Sequence, residues 1–129
     1  MAVEFLKFDF FTLKSDVWSF GVLVWEILSF GGNPYGQQQY EEILERLETG
    51  YRLTCPNEVK QITNWSPELF YNDLAKMCFV AKPELRASFF EVIKIIEKQL
   101  TSKEMANYEK MKSIYQNTLG EKYLRFAQK

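Results

Sequence analysis

Few residues in this chain could do chemistry, and each lacks a partner. Asp9 lies in the tetrapeptide FDFF at residues 8–11, which starts like a metal-holding Asp-Phe-Gly turn but has Phe11 where the glycine belongs. FVAKP at 79–83 places a lysine near a Val-Ala pair, as in a V-A-x-K strand that contacts nucleotide phosphates. It is one residue short and sits between a helical pattern and a proline. The six glycines, at 21, 31, 32, 36, 50 and 120, never form G-x-G-x-x-G or G-x-x-x-x-G-K-[ST], so no glycine-rich phosphate cradle is written here. There is no histidine, which excludes Ser-His-Asp and Cys-His catalysis, histidine-ligated zinc and an imidazole base. Cys55 and Cys78 cannot make a zinc site by themselves. Glu41 and Glu42 are sequence neighbours that point different ways on a helix, so they read as a solvated face rather than an acid/base pair.

Composition narrows the classes further. A chain of 129 residues is one ordinary domain by length, and an apolar share of 47% is enough to build a core. Sixteen basic and seventeen acidic residues leave a net charge of -1, which gives no reason to expect nucleic acid or an anionic membrane as partner. The two distant cysteines read as reduced thiols in a cytosolic compartment. The start, MAVEFLKFDFF, lacks the pattern of a secretory signal, and no run reaches the roughly 18 apolar residues a bilayer span needs.

The elements that must position these residues read as helices. Ten of the fifteen residues from Asp16 to Phe30 are large and apolar, and at 100° steps they leave only Ser19 and Glu26, with Ser29 nearby, as a polar strip. A helix apolar on nearly all faces is expected to be buried on nearly all faces. Ser15 and Asp16 are the expected N-terminal caps, and Gly31 and Gly32 the expected left-handed stop. Trp18, Phe20, Trp25 and Leu28 are expected in the core. GGNPYGQQQY reads as a loop. Tyr40, Ile43, Leu44 and Leu47 space a second helix closed by Gly50. After a long loop through Pro56 and Asn64, Pro67 opens a helix with Leu69, Phe70, Leu74, Met77 and Cys78 on one side. Phe89, Val92, Ile93, Ile96 and Leu100 face one way on the next. In the charged tail from Thr101 to Lys129, Met105, Tyr108, Met111, Tyr115 and Leu119 keep helical spacing. No segment alternates like a strand, so the expected class is all-α.

Four pieces of sequence, in order, resemble protein tyrosine kinases. SDVWSFGVLVWEILSFGGNPYG, from Ser15, is similar to the large central helix and following loop of that family. MAVE at 1–4 resembles the end of the activation segment, M-A-P-E, with Val3 in place of proline. RLETGYRLTCPNE at 46–58 resembles the family's R-L-x-x-G-Y-R-L stretch. MCFVAKPELRASF at 77–89 resembles its closing M-x-C-W-x-x-x-P-x-x-R-P-x-F, with Phe79 for tryptophan and Ala87 for proline. A few residues between Glu58 and Pro67 are additional. The resemblance covers residues 1–100, a partial kinase-like domain, and leaves 101–129 as a helical or flexible tail.

The resemblance implies a helical C-terminal portion of a kinase large lobe around a buried central helix. It implies a buried ion pair between Glu4 and Arg86, which is structural and not catalytic. Asp16 matches an aspartate that braces the catalytic loop, though capping its own helix would also account for it. Trp18, Gly21 and Pro34 match fixed structural positions. The family's phosphate-covering loop, paired lysine, catalytic aspartate and metal-binding aspartate all precede M-A-P-E. ATP and Mg are therefore implied for an intact parent that phosphorylates tyrosine, while these residues carry no catalytic, cofactor or metal site. The reading is a kinase fragment inactive by itself; the alternative is a non-catalytic kinase-lobe protein that works by binding. Either leaves an apolar patch exposed along the 16–30 helix, with the missing lobe portion or a second copy as partner. In the tail, YEKM at Tyr108 and YQNT at Tyr115 resemble motifs that adaptor domains read once phosphorylated.

Overall fold

The computed structural model describes residues 2–61 and 66–119. Among them are α1 (Val3–Phe8), α2 (Leu13–Leu28), α3 (Tyr40–Glu48), α4 (Pro67–Cys78), α5 (Phe89–Glu97) and α6 (Ser102–Leu119), with 3₁₀ turns at Asn57–Gln61 and Pro83–Leu85. No strand occurs among the described residues, and the class is all-α. Two compact units divide between Ser88 and Phe89. Of the added residues expected between Glu58 and Pro67, those at 62–65 lie outside the described residues, as does the tail beyond Leu119.

In the first unit, Asp9 closes α1. Its φ of 53° is left-handed, a conformation aspartate tolerates better than most residues, and its N–H donates to the Phe5 carbonyl at 3.0 Å. The FDFF stretch is thus a helix exit. Helix α2 starts a turn earlier than expected. Thr12 is the cap: its Oγ1 accepts from the Ser15 N–H at 3.1 Å, while the Thr12 N–H donates to Ser15 Oγ at 3.2 Å. This reciprocal box places Ser15 inside the helix and leaves Asp16 exposed on its first turn, so neither is the cap.

The all-round burial expected of α2 is also corrected. It buries Ser15, Val17, Trp18, Gly21 and Val22 along one side, where α4 and the Pro83–Leu85 turn pack. Leu23, Ile27 and Phe30, spaced four and three apart, are exposed on the other. Phe20, Trp25 and Leu28 are only half-buried. The described part of this unit supplies partners to one side of the helix alone.

Helices α2 and α3 end in the same Schellman motif with different residues. In α3, Gly50 takes a φ of 97° and Tyr51 N–H reaches back to the Arg46 carbonyl at 2.9 Å. In α2, Gly31 N–H reaches the Glu26 carbonyl at 2.9 Å; Gly31 has the expected positive φ, 88°, but Phe30 before it is left-handed too, with a φ of 55°. A side chain in that conformation costs roughly 1–2 kcal/mol.

Helix α4 buries Tyr71, Leu74 and Cys78 and exposes Leu69, a rotation from the expected face. Its Tyr71 hydroxyl donates to the Leu53 carbonyl at 2.8 Å. Helix α1 packs on α3, where Tyr40 Oη donates to the Leu6 carbonyl and Lys7 pairs with Glu48.

In the second unit, Thr101 opens α6 with a capping box. Its N–H and hydroxyl both donate to the Glu104 carboxylate at 2.7 Å, and its Oγ1 accepts from the Glu104 N–H. Backbone and hydroxyl bonds from Thr101 hold the Glu104 carboxyl below its ordinary pKa. In α5, Val92 is buried while Ile93 is exposed.

Candidate functional site

The most heavily bonded polar group in the first unit is Arg86. It follows the Pro83–Leu85 turn, and its side chain is fully buried. Its two terminal nitrogens reach the two Glu4 carboxylate oxygens at 2.6 and 3.0 Å. The remaining donors go to backbone carbonyls: Nε to Val80 at 2.9 Å and one terminal nitrogen also to Lys14 at 2.7 Å. Lys14 returns the contact through its ammonium to the Arg86 carbonyl. The guanidinium fork is matched to a carboxylate in this way because two parallel bonds fix its plane.

Glu4 has a further partner. The Ser15 hydroxyl donates to its Oε1 at 3.1 Å. Burial pushes the Glu4 carboxyl up, but hydrogen bonds and charge from Arg86, with backbone and Ser15 bonds, hold it below its ordinary value. One acid, one base and one hydroxyl therefore tie α1, the first turn of α2 and the 80–86 turn together.

Trp18 sits at the centre of this cluster. Arg86 lies 5.0 Å from its ring centroid and Arg52 lies 5.1 Å away, both in cation–π range. Phe79 meets the ring edge-on at 5.2 Å, an aromatic contact. Among the described residues, neither Trp18 Nε1 nor Tyr35 Oη, both buried, has a hydrogen-bond partner. Burial raises the Tyr35 phenol pKa.

Gly21 allows α2 and α4 to cross closely. A Cβ there would lie 2.7 Å from Cys78 Cβ and 2.9 Å from the Phe79 ring. Pro34 is half-buried in the loop after α2, outside the Glu4–Arg86 cluster. Asp16 is exposed, and no hydrogen bond to its carboxylate occurs among the described residues. Ser15, Lys14, Arg52 and Tyr35 were not singled out by sequence reasoning as members of this site. Ser15 and Tyr35 lie in the SDVWSFGVLVWEILSFGGNPYG stretch and Arg52 in the GYRL stretch, whereas Lys14 carried no signal.

The arrangement holds elements together. Among the described residues no three His, Cys, Asp or Glu side chains gather as metal ligands, and no helix is long and apolar enough to cross a membrane. Burial pushes the Cys78 thiol up to about 12, so it is no nucleophile at neutral pH.

The tail tyrosines differ. Tyr108 is half-buried, and Lys112 Nζ lies 4.7 Å from its ring while pairing with Glu109 at 2.8 Å. Tyr115 is 63% exposed.

Comparison with known proteins fits this architecture. The family model described as protein tyrosine and serine/threonine kinase matches residues 1–96. The chain is 40% identical over 92 residues to the tyrosine-protein kinase receptor Tie-1 of Danio rerio, covering 71% of this chain and 46% of that protein. It is 35% identical over 123 residues to the angiopoietin-1 receptor of Danio rerio, covering 95% of this chain and 10% of that protein. It is 34% identical over 112 residues to the platelet-derived growth factor receptor alpha of Rattus norvegicus, covering 86% and 10%. The chain thus spans from a tenth to just under half of the length of these relatives. With three quarters of its residues under the family model and receptor tyrosine kinases as relatives, the chain belongs to the protein tyrosine and serine/threonine kinase family, of whose catalytic domain it resembles the C-terminal part.

Proposed function

We propose that these 129 residues form the closing, structural part of a tyrosine-kinase large lobe, whose intact protein passes phosphate from ATP to protein tyrosine, and that the segment alone transfers none. The observation that carries this reading is the Glu4–Arg86 pair closed over Trp18, which commits the strongest polar groups to architecture. The phosphate-covering loop, paired lysine, catalytic aspartate and metal-binding aspartate of the family match no stretch of these residues. ATP and Mg are accordingly assigned to the intact protein and no cofactor to this segment. Two cysteines without a disulfide support a cytoplasmic setting. The test is nucleotide titration and phosphate transfer to a tyrosine polymer with the purified chain. No saturable binding and no transfer are expected; micromolar ATP–Mg binding overturns the reading.

The second reading is a non-catalytic binding module, favoured by the exposed Leu23, Ile27 and Phe30 stripe and by the exposure of Tyr115. Phosphorylated Tyr115, in YQNT, would present a doubly charged group to an adaptor domain. Tyr108 is the poorer substrate because Lys112 covers its ring. Binding of a Y-x-N-reading domain to the phosphorylated chain, lost in Tyr115→Phe and kept in Tyr108→Phe, tests this.

A further inference from the structure

Tyr40 is the first residue of α3, and it fastens that helix to α1. Its hydroxyl donates to the carbonyl of buried Leu6, while the residue itself is 41% exposed. The other polar link between the two helices among the described residues is the exposed Lys7–Glu48 pair. Exposed pairs of that kind contribute little, so the Tyr40 hydroxyl is the main polar tie.

Residues 40–43 read Tyr-Glu-Glu-Ile, and Tyr40 is alone among the seven tyrosines in being followed by two carboxylates in succession. Glu41 and Glu42 are exposed and Ile43 is half-buried. Helix α3 has nine residues and buries only Leu47. Its first turn is closed by the Gln39 N–H, which donates to the Glu42 carboxylate over a long 3.3 Å. A helix this short is marginal without tertiary support, so that turn unwinds at little cost.

We infer that Tyr40 is a phosphoacceptor whose modification frees α3 from α1 and makes residues 40–43 a docking motif for a phosphotyrosine-reading adaptor domain. The donor is ATP held by a tyrosine kinase acting in trans. A bond forms between Tyr40 Oη and the γ-phosphorus, the bond to the bridging oxygen of departing ADP breaks, and the phenolic proton passes to the kinase's base. The esterified oxygen then has no proton for the Leu6 carbonyl, and about two negative charges face that carbonyl's lone pairs. Attraction becomes repulsion. Glu4–Arg86 still holds the first turn of α1, so the parting is confined to its end near Leu6 and Lys7.

The released segment defines its reader. In an extended chain Ile43 lies about 10 Å from Tyr40, at three steps of roughly 3.3 Å. The phosphate suits an arginine cluster, Glu41 and Glu42 suit basic groups beside it, and Ile43 suits an apolar pocket at that distance. Nucleic acid or an anionic lipid surface is repelled by the same charges. The inference is independent of whether this chain transfers phosphate and of the Tyr115 motif.

For the test, the full chain carrying Tyr108→Phe and Tyr115→Phe is treated with a soluble tyrosine kinase and ATP–Mg, and sites are mapped by fragment mass spectrometry. The probe is an adaptor phosphotyrosine-reading domain that prefers two acids and then a branched aliphatic residue after phosphotyrosine. Phosphate is expected on Tyr40. The phosphorylated chain should bind the probe at least about thirtyfold tighter than the same chain with Tyr40→Phe. Ile43→Ala, phosphorylated to the same extent, should bind about tenfold more weakly than its parent. Amide exchange at residues 5–9, where Leu6 and Asp9 donate within α1, should quicken on phosphorylation, while that at 103–115 stays unchanged. The inference is overturned by no phosphate on Tyr40, or by equal probe binding with Tyr40→Phe or Ile43→Ala. It is equally overturned by exchange at 5–9 that is unchanged or that rises no more than at 103–115.

Discussion

Arg86 grips Glu4 through two bonds of 2.6 and 3.0 Å across 82 residues of sequence. Because both side chains are buried, removing either strands the other. Glu4→Gln and Arg86→Met should each lower the unfolding free energy by about 3–5 kcal/mol in urea titration. The double variant should lose less than the sum, since neither leaves an unpaired charge.

Acid should weaken the same clasp. The folded pKa of Glu4 lies below its unfolded value, so the folded state binds fewer protons. Its contribution is complete above the unfolded pKa of about 4.3 and is lost as pH falls through the folded value. Melting followed from pH 6 downward should show a fall below about pH 4 that is shallower in Glu4→Gln.

Gly21→Ala places a methyl group 2.7 Å from Cys78 Cβ, with the Phe79 ring on the other side. Neither neighbour is a flexible chain end, so α2 and α4 must part. A loss of about 1–3 kcal/mol is expected by thermal or urea unfolding.

The two thiols should label at different rates. Cys55 is half-exposed, whereas Cys78 is buried and its pKa is pushed up to about 12. A disulfide reagent at pH 8 should modify one thiol per chain quickly and the second only on unfolding. The neutral Cys78 contributes its stability fully below an unfolded pKa of about 8.5, and that contribution declines as pH rises toward the folded value.

Phe30→Gly should stabilise the chain by roughly 1 kcal/mol, because the left-handed cap of α2 then costs no side-chain strain. The ring it removes is 76% exposed, so little packing is lost. Light scattering and hydrophobic-dye fluorescence should both fall in this variant, and further in Ile27→Lys, if the exposed stripe drives association.

The helical class was legible because periodic apolar residues and proline or glycine boundaries mark helices directly. The starting turn of α2 was not, since Thr12 forms its box with a serine where the usual pattern expects Glu or Gln. The buried side of α2 was hidden for another reason: apolarity shows what a face can bury, and only tertiary structure shows what it meets. Helix α4 carries apolar residues on several faces, so spacing alone did not place Leu69 in solvent and Tyr71 inside. Glu4 and Arg86 were linked through motif resemblance, which periodicity could never supply. The bonds of Arg52 end on backbone carbonyls, and these leave no trace in residue types.

Ribosomal synthesis gives the long span between Glu4 and Arg86 a temporal meaning. The arginine is added 82 residues after the carboxylate. At 5–20 residues per second that interval is roughly 4–16 s. Throughout it, Glu4 lacks the arginine that matches its charge in the finished fold. Helix α1 is therefore locked late, and a stop before Arg86 would leave it open to proteolysis.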